Sequence, residues 1–540
     1  DHDILTPGDQ PGVLVAMNPA ALKANLKDLV VGGLLIVNED AFERKNLEKA
    51  GYPDNPLTDG SLDGYQVYKI PMTKMTIEAV KDFALNKKEA ERSKNMFALG
   101  VISWMYSRPL EPTVAWLEKK FAKKPEIAAA NIACLKAGNA FGETAELAAF
   151  EVKPAVLAPG RYRRITGNQA LAYGLIAASV QAKLPLFLGS YPITPASDIL
   201  HELSRHKNFG VRTVQAEDEI AAGSMAIGAS FGGHLGVTTT SGPGLDLKSE
   251  AIGLALSMEL PLIVVDVQRG GPSTGLPTKT EQSDLLHAMY GRHGEAPLPI
   301  VAAYSPPSCF WAAIEAARIS IKYMTPVILL TDGYLANGAE PWRIPSVHKL
   351  PDISTRFASQ PNVGDDFWPF LRDEETLARP WAIPGTPGLE HRIGGLEKAD
   401  GTGNISYDPD NHELMTKLRQ AKIKAIEEDI EPLEFDADEG ASILILGWGS
   451  TYGAIGAAVR RLRLRGKKVA RAHLKHLNPF PKNLEAVLRR FDTVVIPEMN
   501  MGQLSRLIRA EFLIDTISIN KMKGLPFRAG ELEEQLLELM

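Results

Sequence analysis

The chain has 540 residues, 45% of them hydrophobic, with a formal net charge of -6. That is chain enough for roughly three or four domains with sizeable cores, and so small a charge argues weakly against nucleic acid or an anionic membrane as the main partner. No apolar run approaches the ~20 residues that span a bilayer, and no charged-apolar-small pattern opens the sequence.

Residues 1–150 alternate short apolar strands with helices. Strands are expected at 13–17 and 34–37, and apolar spacing predicts helices at 19–26, 82–98, 113–123 and 126–137. The segment from Asp1 to Thr6 reads as the middle of something, so this α/β domain is expected to be N-terminally incomplete or to lack a preceding segment. A Pro-bearing connector at 151–165 follows, from Lys153-Pro154 to Pro159-Gly160. Residues 166–345 open with a helix at 167–183. Strands at 184–189, 211–215, 235–240 and 262–267 are separated by helical patterns, and a helix at 308–324 and a strand at 326–331 complete the unit. Residues 346–438 change character. Prolines recur, glycines cluster at Gly394-Gly395 and Asp400-Gly401-Thr402-Gly403, and only 413–428 reads as a clear helix. That length does not suit a bare loop, so an excursion wrapping over neighbouring domains is expected. Residues 439–540 resume alternation, with strands at 441–446, 468–473 and 492–496 and helices at 451–464, 484–490 and 504–512. They read as a compact doubly wound domain.

The β-α-β-α-β-α-β order of the middle region predicts a parallel sheet with right-handed crossovers. In such a sheet every post-strand loop lies on the carboxyl-terminal edge, where open α/β sheets bind ligands. Four motifs follow the four strands: Tyr191-Pro192-Ile193-Thr194-Pro195, Glu217-Asp218-Glu219, Ser241-Gly242-Pro243-Gly244 and Arg269-Gly270-Gly271-Pro272-Ser273-Thr274-Gly275. Three acids at a helix start can simply complement the macrodipole. Here the next turns, Ile220 to Ala226, are apolar and small, so one acid is expected to point into a packed interface. Burial favours the protonated form of a carboxyl group and suits it to proton shuttling. An arginine at the ligand edge can hold a carboxylate bidentately or form a surface ion pair, and the glycines beside Arg269 favour the ligand reading. The prolines flanking Thr194 fix its backbone and leave the hydroxyl as a positioned donor. Lys248 can face an anionic substrate, although a lysine at such a position is more often solvated.

Other features take bland readings. Cys134 and Cys309 fall in different predicted domains and read as reduced core cysteines of a cytoplasmic protein, too few for a [4Fe-4S] cluster. No serine–histidine–acid or metal-ligand spacing emerges from the 11 histidines. Asp332-Gly333 is too close to Asn337 for the pyrophosphate motif of thiamine enzymes. The Gly447-Trp448-Gly449-Ser450-Thr451-Tyr452-Gly453 segment lacks Rossmann spacing, which favours close helix–strand packing over anion binding. Lysines 119, 120, 123 and 124 read as a solvated face, and Arg460, Arg461, Arg463 and Arg465 likewise.

The motifs at 189–195, 215–222, 239–244 and 268–275 resemble those of the α subunit of 2-oxoacid:ferredoxin oxidoreductases, and the resemblance covers nearly the whole chain. It implies a multidomain α/β architecture. Residues 1–150 resemble the γ domain, fused ahead of the α subunit. Residues 166–345 resemble the domain that binds the aminopyrimidine of thiamine diphosphate, and 439–540 the transketolase C-terminal domain. The fused order, the segment from Gln268 to Lys279 and the lack of cluster cysteines are most similar to the 2-oxoglutarate type. The implied reaction is oxidative decarboxylation of 2-oxoglutarate with coenzyme A, giving succinyl-CoA, carbon dioxide and reduced ferredoxin. By resemblance, Glu219 hydrogen-bonds the aminopyrimidine and promotes ylide formation. Thr194 and Arg269 hold the 2-oxoacid carboxylate, with Lys248 as a further substrate-side cation, and Tyr191, Pro192, Ile193 and Thr194 line the cofactor. Mg2+ and the [4Fe-4S] cluster are expected on a separate β subunit, in an α2β2 heterotetramer whose active site forms between subunits. The alternatives are another 2-oxoacid such as pyruvate, a non-catalytic scaffold for a β-like partner, or a non-redox thiamine enzyme of the transketolase kind.

Overall fold

A computed structural model describes residues 6, 8–153 and 155–540. The readings of the opening segment at Asp1 and of Pro154 in the connector lie outside the described residues. The chain forms two compact units, Gly8–Leu157 and Ala158–Met540.

In the first unit β1 (Val13–Ala16), β2 (Leu34–Asn38) and β3 (Gln66–Ile70) make a parallel sheet in that order. The central strand is buried along its whole length, as a parallel strand covered on both faces is. Helices Lys94–Met105 and Pro125–Thr144 approach at glycines: a Cβ at Gly100 would lie 2.0 Å from the Leu135 carbonyl oxygen. The single helix expected at 82–98 is corrected to two. Asn86 accepts from the Glu89 amide while the Glu89 side chain accepts from the Asn86 amide, and this reciprocal cap starts the first helix at Lys87–Arg92. The second, Lys94–Met105, begins beyond Ser93.

The second unit opens with β4 (Tyr162–Thr166). Its main sheet is built from β5 (Leu186–Ser190), β6 (Arg212–Gln215), β7 (Leu235–Thr240), β8 (Leu262–Gln268), β9 (Ile300–Ala302) and β10 (Pro326–Asp332). They lie in the order β9-β10-β8-β7-β5-β6, all parallel, so the four loops of interest share one edge. β11 (Ala339–Arg343) returns antiparallel to β4. A second sheet holds β12 (Phe435–Ala437), β13 (Ile443–Trp448), β14 (Ala470–Leu474), β16 (Thr493–Glu498) and β17 (Ile517–Asn520) in the order β12-β14-β13-β16-β17. β15 (His476–Asn478) leaves that sheet and pairs antiparallel with β9.

Along β8 the side chains alternate between two cores. Ile263, Val265 and Val267 pack into one, and Leu262 and Val264 into the other. The second core runs on into Leu444, Leu446 and Trp448 of the C-terminal sheet. Residues 166–345 and 439–540 therefore share one hydrophobic interior.

The excursion at 346–438 packs Ile353, Ala378, Trp381, Ile423 and Ile426 onto the first core. A buried charge cluster clasps it there. Glu259 follows helix Ser249–Met258 in a left-handed conformation and is almost wholly buried. It accepts both terminal nitrogens of Arg372 at 2.5 Å and the ammonium of Lys422. Arg379 donates to the carbonyls of Met258 and Glu259 at 2.9 and 3.0 Å. Burial alone would raise the Glu259 carboxyl, but Lys422 and Arg372 overcome it and hold the group down at about 2. The stability this carboxylate contributes is present above its unfolded value of 4.5 and is lost as pH falls towards about 2. Glu259→Gln leaves two buried cations without their counter-charge, and is expected to cost about 3–5 kcal/mol in denaturant unfolding and to flatten the acid limb of stability below pH 4.5. A midpoint within error of the parent would contradict the clasp.

Candidate active site at the carboxyl edge of the main sheet

After β5, Tyr191, Pro192 and Thr194 are exposed, and the half-buried Ile193 packs on the core below. After β6 the three acids divide their tasks. Glu217 is exposed, and Asp218 caps helix Glu219–Phe231 by accepting from the Ala221 amide at 2.7 Å. Glu219 is 8% exposed. The macrodipole explanation thus suffices for Asp218 and not for Glu219.

The loop after β7 explains how Glu219 is housed. A Cβ on Gly244 would lie 2.7 Å from Glu219 Cγ, 3.2 Å from its Oε1 and 2.0 Å from Thr240 Oγ1. Glycine at 244 is the space into which the carboxylate folds. Ser241, ahead of that glycine, is fully buried and its hydroxyl has no partner. After β8, Arg269 is 6% exposed and donates from Nη1 to the Thr194 carbonyl at 2.7 Å, while its Nε has no partner. The arginine therefore ties the fourth loop to the first.

Lys248 needs correction on both readings. It is neither solvated nor open to a substrate: the residue is fully buried and its ammonium lacks a hydrogen-bond partner. The spacing of Leu245, Lys248 and Ile252 sets it on the packed face of the chain, which composition did not reveal.

The segment from Gly271 to Lys279 stands exposed beyond Arg269 and is anchored at its return. The Thr280 hydroxyl donates to Asp332 at 3.0 Å. Gln282 is fully buried and bridges to the C-terminal sheet, donating to the Trp448 carbonyl at 2.9 Å and accepting from the Met499 amide at 2.9 Å. A Cβ on Gly449 would lie 2.8 Å from Gln282 Nε2, so the glycine-rich 447–453 segment serves close packing. Asp332 caps helix Gly333–Asn337 through the Tyr334 and Leu335 amides.

Sequence reasoning missed Asp266 and Asp284. Asp266 lies inside the largely apolar β8, fully buried, and its carboxyl group hydrogen-bonds that of Asp284. An acid in a strand buried on both faces was the available signal. The bland readings hold elsewhere. Cys134 and Cys309 are buried free thiols that burial pushes up to about 11 and about 12. Lysines 119, 120, 123 and 124 are exposed, and Arg463 and Arg465 pair with Asp436 and Glu533.

Residues 177–407 match the family described as pyruvate flavodoxin/ferredoxin oxidoreductase, thiamine diphosphate-binding. Residues 1–141 match pyruvate ferredoxin/flavodoxin oxidoreductase, and 441–528 its core domain II. The 2-oxoglutarate oxidoreductase subunit KorA of Mycobacterium tuberculosis is 59% identical over 535 residues, 98% of this chain and 81% of that protein. The chain belongs to the 2-oxoacid:ferredoxin oxidoreductase family. Another family member, subunit alpha of 2-oxoacid:ferredoxin oxidoreductase 1 from Aeropyrum pernix, is 32% identical across 85% of this chain and 73% of its own length. Among solved structures, the 2-oxoglutarate:ferredoxin oxidoreductase of Magnetococcus marinus, with 2-oxoglutarate, coenzyme A and succinyl-CoA bound, superposes with a TM-score of 0.88 at 33% identity. The match spans 99% of this chain and 89% of that one. The family's thiamine diphosphate-binding region contains all four edge loops.

Gly244→Ala is expected to leave the circular dichroism spectrum unchanged, and to lower turnover of the assembled enzyme at least roughly ten-fold by displacing Glu219. Parental turnover would show that Glu219 does not depend on that space.

Proposed function

We propose that this chain is the α subunit, with a fused γ domain at 1–150, of a cytoplasmic, coenzyme A-dependent 2-oxoglutarate oxidoreductase. Residues 166–345 then form the pyrimidine-binding domain, 346–438 the clasped excursion and 439–540 the transketolase C-terminal-like domain. In the reaction the bond between C1 and C2 of 2-oxoglutarate breaks and carbon dioxide leaves. Two electrons pass from C2, one at a time, to ferredoxin, and the coenzyme A sulfur gives up its thiol proton and forms the thioester of succinyl-CoA. The 59% identity to a 2-oxoglutarate oxidoreductase subunit across 98% of the chain carries this reading.

The site residues fit thiamine diphosphate: a buried carboxylate opens at the edge beside the exposed Tyr191–Thr194 loop, with the orphaned Ser241 hydroxyl near its helix start. Thiamine diphosphate, when bound, supplies the electron sink for decarboxylation. Glu219 holds and moves a proton at the aminopyrimidine, and Tyr191, Pro192 and Ile193 shape the surface it rests on. The Thr194 hydroxyl and the Arg269 guanidinium hold the 2-oxoacid carboxylate, the arginine having first fixed the loop that presents the threonine. The diphosphate, Mg2+ and the [4Fe-4S] cluster are assigned to a β subunit, in an α2β2 assembly that passes electrons to ferredoxin. Tyr191, Ile220, Met225 and Leu276, exposed apolar residues on the edge loops and the helix behind them, give that partner a surface to cover.

The test is anaerobic viologen reduction by the chain purified with its partner, given coenzyme A and a panel of 2-oxoacids. Fast reduction with 2-oxoglutarate is expected; preference for pyruvate would replace the substrate and keep the mechanism. No reduction by an intact, cofactor-loaded complex would favour the scaffold reading. Glu219→Gln should assemble normally and lose about 100-fold or more in turnover. Near-parental turnover in that variant would refute the proton-handling role.

A further inference from the structure

Lys248 is a buried cation that the proposed chemistry leaves unused. Lys248 has no exposed surface and no hydrogen-bond partner, although placing a charge in a dry interior costs several kcal/mol. Its stem packs beside the helix that carries Glu219. Glu219 stands four residues before Gly223 on one helix, and Gly244 stands four residues before Lys248 on the neighbouring one. A Cβ on Gly244 would meet Glu219 Cγ at 2.7 Å, and one on Gly223 would meet Lys248 Cγ at 3.6 Å and Cδ at 3.8 Å. Gly244 gives the Glu219 side chain its room, and the Lys248 stem lies at ordinary contact distance from Gly223, one turn along the Glu219 helix, so the two side chains lie along one seam.

The acids around the seam are Glu219 and Asp218 from the helix after β6, Asp246 from helix Gly242–Leu247, Asp266 from β8 and Asp284 before helix Leu285–Tyr290. Two of these, Asp266 and Asp284, have their charge suppressed. Asp218 accepts the Ala221 amide, and Asp246 pairs with His287 at 3.0 Å. Asp266 is driven well up by burial and then by Asp284, and burial raises Asp284 as well. Both hold a proton more readily than an ordinary carboxyl group. Burial pulls the Lys248 ammonium down to about 8, while Glu219, ahead of Asp266 and Asp218, pulls it back up.

We propose that Lys248 is a positioning residue acting through Glu219: its buried ammonium is the fixed counter-charge that keeps the Glu219 carboxylate ionised at the carboxyl edge of the sheet. The proposal rests on the role given above to Glu219, and its test does not use turnover alone. The complex is stripped of thiamine diphosphate and titrated by infrared spectroscopy. The carboxyl band of Glu219 is identified as the one that Glu219→Gln removes. Lys248→Met matches the length of the side chain without its charge, and Lys248→Gln is a second neutral variant with hydrogen-bonding capacity. In either, the Glu219 midpoint is expected to rise by about one pH unit or more, a ten-fold change in proton affinity. In the reloaded enzyme the acid limb of kcat should move up by the same amount. An unmoved Glu219 midpoint would overturn the proposal, even with lowered thermal stability, because a purely structural lysine changes stability and leaves that titration alone. Full turnover in Glu219→Gln would instead refute the underlying role, whatever the titration shows.

Discussion

A carboxylate can be kept dry at the rim of a parallel sheet only if the surrounding backbone yields room and another charge answers it. At Glu219 both conditions come from the segment after β7. Gly244 supplies the room, because any Cβ there would strike the glutamate, and Lys248 lies four residues on, across from Gly223. The arrangement is expensive in isolation: a buried lysine without a hydrogen bond and a buried acid pair at Asp266 and Asp284 each oppose folding. Such local costs persist where a reaction needs the group to be preorganised.

The rest of the second unit makes that edge rigid. Arg269 fastens the loop after β8 to the loop after β5 through the Thr194 carbonyl. Gln282 closes the far end of the exposed 271–279 segment by bonding to Trp448 and Met499 of the other sheet. β15 crosses from the C-terminal sheet to pair with β9, and one core continues beneath both. The Glu259 clasp holds the excursion against the helices behind the main sheet. A site laid on loops thereby inherits the precision of the strands that bear them, while the apolar residues exposed beside it are left for a partner to complete.

Much of this was legible in the sequence because parallel sheets announce themselves. Apolar runs such as Leu262–Gln268, punctuated by helical spacing, place their following loops on one edge whatever the details. That one of the three acids is buried followed from the small apolar turns after them; that it is Glu219, with Asp218 as the cap, is seen in the fold. Short and polar elements were less visible. β9 and β15 have three residues each, too few to show a period, and β3 reads Gln-Val-Tyr-Lys-Ile with mixed exposure. The helix start at Lys87 depended on a local cap that apolar spacing overran. Lys248 was misread for a different reason. A lysine is ordinarily solvated, and only the packing of this one beside the helix after β6 shows that it is not.

The most direct test of this account is a high-resolution structure of the anaerobically assembled complex with thiamine diphosphate bound. A Glu219 carboxylate oxygen is expected within hydrogen-bond distance, roughly 2.6–3.2 Å, of the aminopyrimidine ring, with Gly244 against its Cγ and the Lys248 ammonium behind it. A Glu219 side chain turned away from the ring, with another residue meeting the aminopyrimidine, would contradict it.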